Sequence, residues 1–595
     1  MRKRYVHDNH GRHTNRRSFL RATAAGGLAG VTALAGCSQQ SNQSDEETEA
    51  GGSNGSEETE AGGSNRSEET ETSGSNGSEE TETGGGQSAG EKLPKYVYYN
   101  NPPNYDSARH DGINLIAERM QELGLDVEVQ VFEWGTLLDR VYNQTDYAIA
   151  TWNQSLNDEP GVRLPEMFHS RNTDGGQGNW SGYSNSDLDP KLLEQLQLDG
   201  QERIDLLHEI QATIIDEVPM IPAVHSVDLI TYNSNQVSGW VDTPTGYNDF
   251  ENMITIEVSN ENNELRGIWP EDIGSLNPLG PTASSYKTIF QFNVLYDRLV
   301  RLNGDYEPEP ELSLATEWSR PDDSSVEYTI REGQQWHDGE DLTAEDVAFS
   351  INYLMDNEVA NYSTQWELVD TVERNGNTVR VNFNETVGPV HSVFSNQLFI
   401  IPQHVWSEVD DPENANISEP VGSGPLQFDY WDTGSELSLR KYDGHWTSVN
   451  FDRRIWRIVP ENSTVWGLLK QGDINYIPQT QVGKQLVDNE ELDQIGVKSH
   501  TSDATWHVTP NNRLDGFDDP VVRQAIHNTI PKTPIVEQLL YGYGERGWNF
   551  VTSLFGQYSN EDVTRYEESM ERARGRLEEA GYTWNDDGLL QFPSE

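Results

Sequence analysis

Hydrophobic and polar positions alternate along VEYTI, so Val326, Tyr328 and Ile330 fall on one side of a predicted strand. Glu332-Gly333 then turns the chain, and His337-Asp338-Gly339 makes a second tight turn. A helix follows: Thr343 is a good N-cap with Asp346 at the capping-box position, and Val347, Phe349 and Ile351 begin its apolar content. Nearer the front, a strand Tyr96 to Tyr99 precedes a helix from about Ser107. Its buried stripe is Ile113, Ile116, Ala117, Met120 and Leu123, and Gly124 is its stop. Val127, Val129 and Val131 alternate as the next strand, then come a helix Thr136 to Tyr142 and a strand ending at Trp152; this βαβ order implies parallel pairing. A helical run spans Gln201 to Glu217. At the end of the chain, Tyr566, Met570, Ala573, Leu577 and Ala580 share one helix face that stops at Gly581. After it, Asp586 to Phe592 reads as the first strand of a hairpin with its partner missing.

Before residue 93 no such periodicity exists. Residues 1–37 hold a basic start, the run Asn15-Arg16-Arg17-Ser18-Phe19-Leu20-Arg21, a small-residue apolar stretch from Ala22 to Ala35, and Leu34-Ala35-Gly36-Cys37. The apolar stretch is too short and too glycine-rich to span a bilayer. Arg16 and Arg17 followed by Phe-Leu look like a Tat export signal, and Leu-Ala-Gly-Cys looks like a lipobox that would make Cys37 the lipidated N-terminus. His7, His10 and His13 would be removed with that segment. Residues 38–92 are Gly, Ser, Asn, Thr and Glu, with GSNGSEETE recurring at a period of about eleven, so this is a disordered, self-repelling acidic linker. Asn54-Gly55-Ser56, Asn65-Arg66-Ser67 and Asn76-Gly77-Ser78 are glycosylation sequons, one per repeat.

Charge narrows the partners. The 595 residues carry 41 Lys+Arg against 99 Asp+Glu, a formal net charge of -58, which argues against nucleic acid or an anionic membrane surface. In molar salt the Debye length falls to roughly 3 Å, so such a surface becomes tolerable and keeps the protein soluble. A halophilic, haloarchaeal source is expected. Cys37 is the one cysteine, so no internal disulfide forms.

The motif VEYTIREGQQWHDGEDLTAEDVAFS, with Leu314-Ala315-Thr316-Glu317-Trp318 upstream, resembles the extracellular solute-binding proteins of family 5, the peptide and nickel receptors of ABC importers. The resemblance implies an α/β, two-lobed, type II periplasmic-binding-protein-like fold with a smaller inserted domain. Ser275-Leu276-Asn277-Pro278, Tyr296-Asp297-Arg298-Leu299, Pro420 to Leu426, Leu468 to Asp473 and Phe517 to Ala525 follow in the family's usual order. The blocks from Lys95 to Pro222 resemble the family's C-terminal region yet stand at the front. A circular permutation explains this, cut in the hairpin turn so that Lys95 to Tyr99 is the missing partner of Leu589 to Phe592, with the old ends joined between Ile254 and Leu265. A partial tandem copy is the competing explanation. The implied domains are 93–230 with 506–595 as one lobe and 231–505 as the other, about 306–415 being the inserted domain.

A receptor of this kind needs a cleft lined with aromatic and polar groups. By resemblance, the candidates are Trp152 and Asn153 at a strand end, Tyr286, Gly422, Ser423 and Gly424 from the other lobe, and Trp506 and Asn511 at the second crossing between lobes. The Gly-Ser-Gly turn is chosen because glycine backbone can approach a ligand closely. Peptide-binding members carry an aspartate just after the equivalent of Trp152; here Asn153-Gln154-Ser155-Leu156-Asn157 intervenes, and Asp158 takes over or the ligand lacks a free amine there. Pro531 is a second departure from the family's aspartate.

After residue 92, catalytic motifs such as G-x-S-x-G, H-E-x-x-H or Walker A do not occur, and His169, His225, His404 and His507 lack metal-ligand spacing. The expectation is therefore a lipid-anchored, monomeric receptor on the outer face of the membrane, without cofactor, handing an oligopeptide or similar small polar solute to an ABC permease. A nickel-chelate or oligosaccharide binder, an extracellular hydrolase and a non-binding surface glycoprotein are the alternatives.

Overall fold

The computed structural model describes residues 90–594, apart from 104, 157–158, 177, 244–245, 271, 282, 284–292, 305 and 481. Arg16, Arg17, Cys37, the acidic repeats, Asp158 and Tyr286 lie outside the described residues.

Strand β1 (Tyr96–Asn100) sits between β2 (Val127–Val131) and β3 (Ile149–Ser155) and runs parallel to both, as the βαβ order implies. Helix α1 (Ser107–Leu123) makes the first crossover. Asp106 caps it by accepting from the Arg109 amide, and Gly124 ends it at φ 111°, a left-handed conformation that glycine adopts freely. The segment after β2 departs from the expected regular helix: α-helix at Trp134–Leu138 passes into a wider π turn at Asp139–Gln144. That wider turn brings the adjacent residues Val141 and Tyr142 both into the core.

Two long antiparallel strands, β4 (Ile221–Asn233) and β5 (Ile495–Pro510), complete this sheet and leave it again. Their inner halves pair within the β1–β3 sheet, through β5 against β3, while Tyr476–Ile477 joins β4 at its far end. The buried apolar side chains divide accordingly. One core draws on residues 93–224 and 506–592, the two ends of the described chain. Another takes residues 279–406, and two more take 237–476 and 229–495. The protein is thus a two-lobed α/β molecule with a smaller domain set into one lobe.

In the smaller domain, strands 315–322, 325–330, 378–383 and 369–375 form an antiparallel sheet in that order. Helix α3 (Ala344–Asp356) covers it, opened by the Thr343/Asp346 capping box. Its neighbour sheet runs 426–432, 436–441, 453–458, 264–269, the last pair parallel. Helix α2 (Gly200–Glu217) and helix α4 (Met570–Glu579) belong to the two-ended lobe.

The terminal hairpin corrects one expectation. Leu590–Gln591 pairs with Thr583–Trp584, which precedes it in the chain, so its partner is not Lys95 to Tyr99. A third segment adds on its other side: Leu93 N–H donates to Leu590 O at 2.9 Å, and Lys92 bridges Gln591. Tyr96–Asn100 continues from there into the main sheet, where every residue but Val97 is buried.

Candidate functional site

Where β4 and β5 pass between the lobes, their register slips. Thr501 faces Val227 but Thr505 faces His225, so Ser502, Asp503 and Ala504 bulge from β5. The bulge gathers polar side chains beside the end of β3. Asp503 accepts from the Ser155 hydroxyl and from the Ser502 hydroxyl, the latter at 3.3 Å. Asn153 Oδ1 accepts from Ser226 Oγ at 3.1 Å, and His225 Nδ1 lies 2.9 Å from Thr505 Oγ1. Thr501 donates to Glu545 at 2.5 Å.

Asp228 and His500 face each other one step further along, with 3.8 Å between carboxylate and ring. The Asp228 side chain keeps 52% of its accessible surface. Loss of bulk water raises its carboxyl above the usual range, with His500 and Ser502 acting the other way. Residues 240–243 and 246–249 line this side. Tyr247 donates to Asp242 at 2.9 Å, Lys498 pairs with Asp242 at 2.8 Å, and Gly246 lies against the His500 ring, where a Cβ would come within 2.4 Å of Nε2. The arrangement offers hydroxyls, an amide and two carboxylates to a ligand, and burial takes His225, and His507 further along β5, down to about 3. Among the described residues no three His, Cys, Asp or Glu side chains gather as a metal site.

The structure distributes the sequence-predicted site residues unevenly. Asn153 lies at the bulge, and Trp506, opposite it on β5, is 7% exposed and packs toward α1 near Gly112. Trp152 is wholly buried, edge-on to Trp180 and His507, so its surface is used in the core. Asn511 ties the end of β5 to the segment just before β3, donating to Tyr147 O at 2.9 Å and accepting from Arg513. The predicted close approach at Gly422, Ser423 and Gly424 is made to the chain itself. A Cβ on Gly422 would lie 1.9 Å from Leu295 O, and one on Gly424 2.3 Å from Val294 O. His337 completes that turn: its amide donates to Gly422 O at 2.9 Å, Nδ1 accepts from the Gly422 amide at 3.2 Å, and Nε2 meets Gly424 O at 2.9 Å. These partners fix the neutral tautomer with the proton on Nε2. Burial holds the ring at about 4, the Gly424 bond opposing.

Sequence reasoning passed over Ser155, Ser226, Asp228 and Asp503. Their signal was faint: hydroxyl and acidic residues interrupting the apolar runs of three strands that lie as far as 348 positions apart.

Residues 309–594, just under half of the chain, match the family described as Bacterial extracellular solute-binding proteins, family 5 Middle. The oligopeptide-binding protein AppA of Bacillus subtilis is 27% identical over 310 residues, 50% of this chain and 56% of that protein. The dipeptide-binding protein of Escherichia coli is 24% identical over 314 residues, 48% of this chain and 58% of its own length. Heme-binding protein A of Haemophilus influenzae is 26% identical over 319 residues, 48% and 56% respectively. The chain therefore spans little more than half the length of these relatives. Among solved structures, AppA in complex with a nonapeptide gives a TM-score of 0.42 at 22% identity, covering 56% of this chain and 67% of that one. NikA from Brucella suis in complex with Fe(III)-EDTA gives 0.44 at 21%, covering 56% and 66%. The family match and the relatives are a likeness to the solute-binding proteins of family 5 over about half of the chain.

Proposed function

We propose that this chain is the substrate receptor of an ABC importer, taking an oligopeptide or similar small polar solute into the crevice between its lobes. The observation that carries the reading is the polar bulge where β4 and β5 cross, a hydrogen-bonding surface placed between two separate cores. Such a site binds and closes rather than turning substrate over. The peptide class comes from the relatives, whose names specify oligopeptide and dipeptide. Asn153 and Trp506, with Asp158 and Tyr286 outside the described residues, are the ligand contacts of this reading.

The finer parts of the proposal rest on sequence. Arg16 and Arg17 direct export, Cys37 carries the lipid that holds a monomer at the outer face of the membrane, and the acidic surface suits a halophilic cell. The chain order is a circular permutation. It is supported by a single core drawn from residues 93–224 and 506–592, and by the hydrogen bond between Leu93 and Leu590.

Thermal unfolding in the presence of defined dipeptides, tripeptides and a nonapeptide tests the ligand class. A bound peptide at 100 times its Kd stabilises by about 2.7 kcal/mol, a shift of a few degrees. An unmoved transition with every peptide would overturn the peptide reading.

A further inference from the structure

The lobes meet a second time, away from the crossing strands. A loop of the smaller domain, Val387 to Val390, abuts the segment before α2 in the two-ended lobe. Gly388 donates its amide to Leu196 O at 2.8 Å. A Cβ built on Gly388 would stand 1.7 Å from Leu198 O, and its three nearest atoms all belong to the Leu198 backbone. Gly388 does not have a positive φ, so its own conformation does not call for glycine. The other lobe does. Backbone atoms cannot swing aside as a side-chain tip can, so any larger residue there must displace the Leu198 backbone or the loop that carries it.

Supporting contacts share this seam. Arg320 presents the loop, donating to Val387 O at 2.5 Å and Gly388 O at 2.8 Å. The Tyr306 ring lies 5.2 Å from Phe555 across the seam, and Val162 packs on the smaller domain's core. Behind them is a cavity of about 110 Å³ lined by Arg203 and Tyr558 on one side and by Tyr306, Arg320 and His391 on the other. The lobe-to-lobe contacts at Gly388 and Tyr306 are a backbone hydrogen bond and an aromatic pair, neither of which molar salt screens as it screens exposed charge pairs.

We propose that this seam is a latch: the backbone contact at Gly388 forms when the lobes close and breaks when they open. Gly388 thereby sets solute affinity without touching solute. The affinity part rests on the receptor reading above; the latch itself is a statement about the two lobes alone.

Pulsed-EPR distances test it in the full chain carrying Cys37→Ser, with spin labels at Glu202→Cys on α2 and Asp370→Cys on the smaller domain, both exposed sites. The parent shows a short-distance population, and Gly388→Ala loses it in favour of longer distances. Arg320→Ala, at an exposed side chain and safe for folding, shifts the distribution the same way by less. Identical distributions in the parent and both variants would overturn the latch. With a nonapeptide as probe, Gly388→Ala lowers affinity at least about tenfold. Distances that shift as stated while the parent ignores the nonapeptide would support the latch and count against the peptide reading instead.

Discussion

His337 and Gly422 exchange two hydrogen bonds across 85 residues, amide to carbonyl at 2.9 Å and amide to imidazole at 3.2 Å. Three motifs that mark the sequence meet at this point: the WHDG turn, the Gly-Ser-Gly turn, and Tyr296-Asp297-Arg298-Leu299. Ser423 Oγ accepts from the Asp297 amide at 3.2 Å, and the wholly buried Asp297 carboxylate lies 3.1 Å from His445 Nε2. Burial alone would raise that carboxyl, but the His445 charge and hydrogen bond, Arg301 and Ser423 together hold it below the usual range. The motifs form a structural clasp that fixes the smaller domain to its lobe.

His337→Phe removes the two imidazole hydrogen bonds, to Gly422 N–H and Gly424 O, while filling similar volume and leaving the His337 amide bonded to Gly422 O. It should cost about 2–4 kcal/mol, because Gly422 N–H and Gly424 O are left buried without their partner. Denaturant unfolding checks this; a midpoint equal to the parent's would show that the turn stands without the imidazole.

Acid should destabilise the protein through its buried neutral histidines. Unfolded, His225 and His507 titrate near 6.5; folded, burial keeps both neutral to about 3, with Lys532 adding to the effect at His225. Between those values the unfolded chain binds protons that the native state does not. Stability is therefore full above about pH 6.5 and falls as the pH drops, by about 1.4 kcal/mol per pH unit for each histidine. His507→Gln should reduce the slope between pH 6 and 4 by about one histidine's worth. Parallel curves for parent and variant would contradict the assignment.

Trp152 and Asn153 are neighbours with opposite roles. Trp152→Ala empties a core site and should cost about 3–5 kcal/mol. Asn153→Ala should change stability by less than about 1 kcal/mol and instead weaken solute binding, since its partner Ser226 stays beside the crevice. Calorimetric unfolding and peptide titration separate the two, and a stable Trp152→Ala with lost binding would reverse the roles.

Rejoining the chain tests the permutation. A variant linking Phe592 to Leu93 through a short Gly/Ser turn, with new ends opened between Ser259 and Asn263, should fold with a melting temperature within a few degrees of the parent. Glu261 and Asn262 are exposed in that loop, and Leu93 already bonds to Leu590. An insoluble or unfolded product would contradict it.

Local chemistry made much of the fold legible. Gly124 after a periodic stripe marks where α1 stops, and Thr343 with Asp346 marks where α3 begins, because a cap is decided by residues three or four apart. The clasp at Gly422, the bulge at Ser502 to Ala504 and the seam at Gly388 were not legible. Each depends on backbone brought from 85 to nearly 300 positions away, and no local pattern encodes it. Trp152 shows the same limit: it lies in the middle of β3 rather than at its end, and only the packing of Tyr142, Trp180 and His507 around it decides that it faces the core. The hairpin partner of Leu590 was misplaced because Thr583–Trp584 is too short to announce itself as a strand.

Native mass spectrometry of the full chain, purified at high salt and transferred to a volatile salt of high ionic strength, tests the central claim most directly. A solute receptor should carry a co-purified small molecule at one per chain, released intact on unfolding. A folded chain that stays bare, and stays bare after incubation with a peptide mixture, would contradict the receptor account.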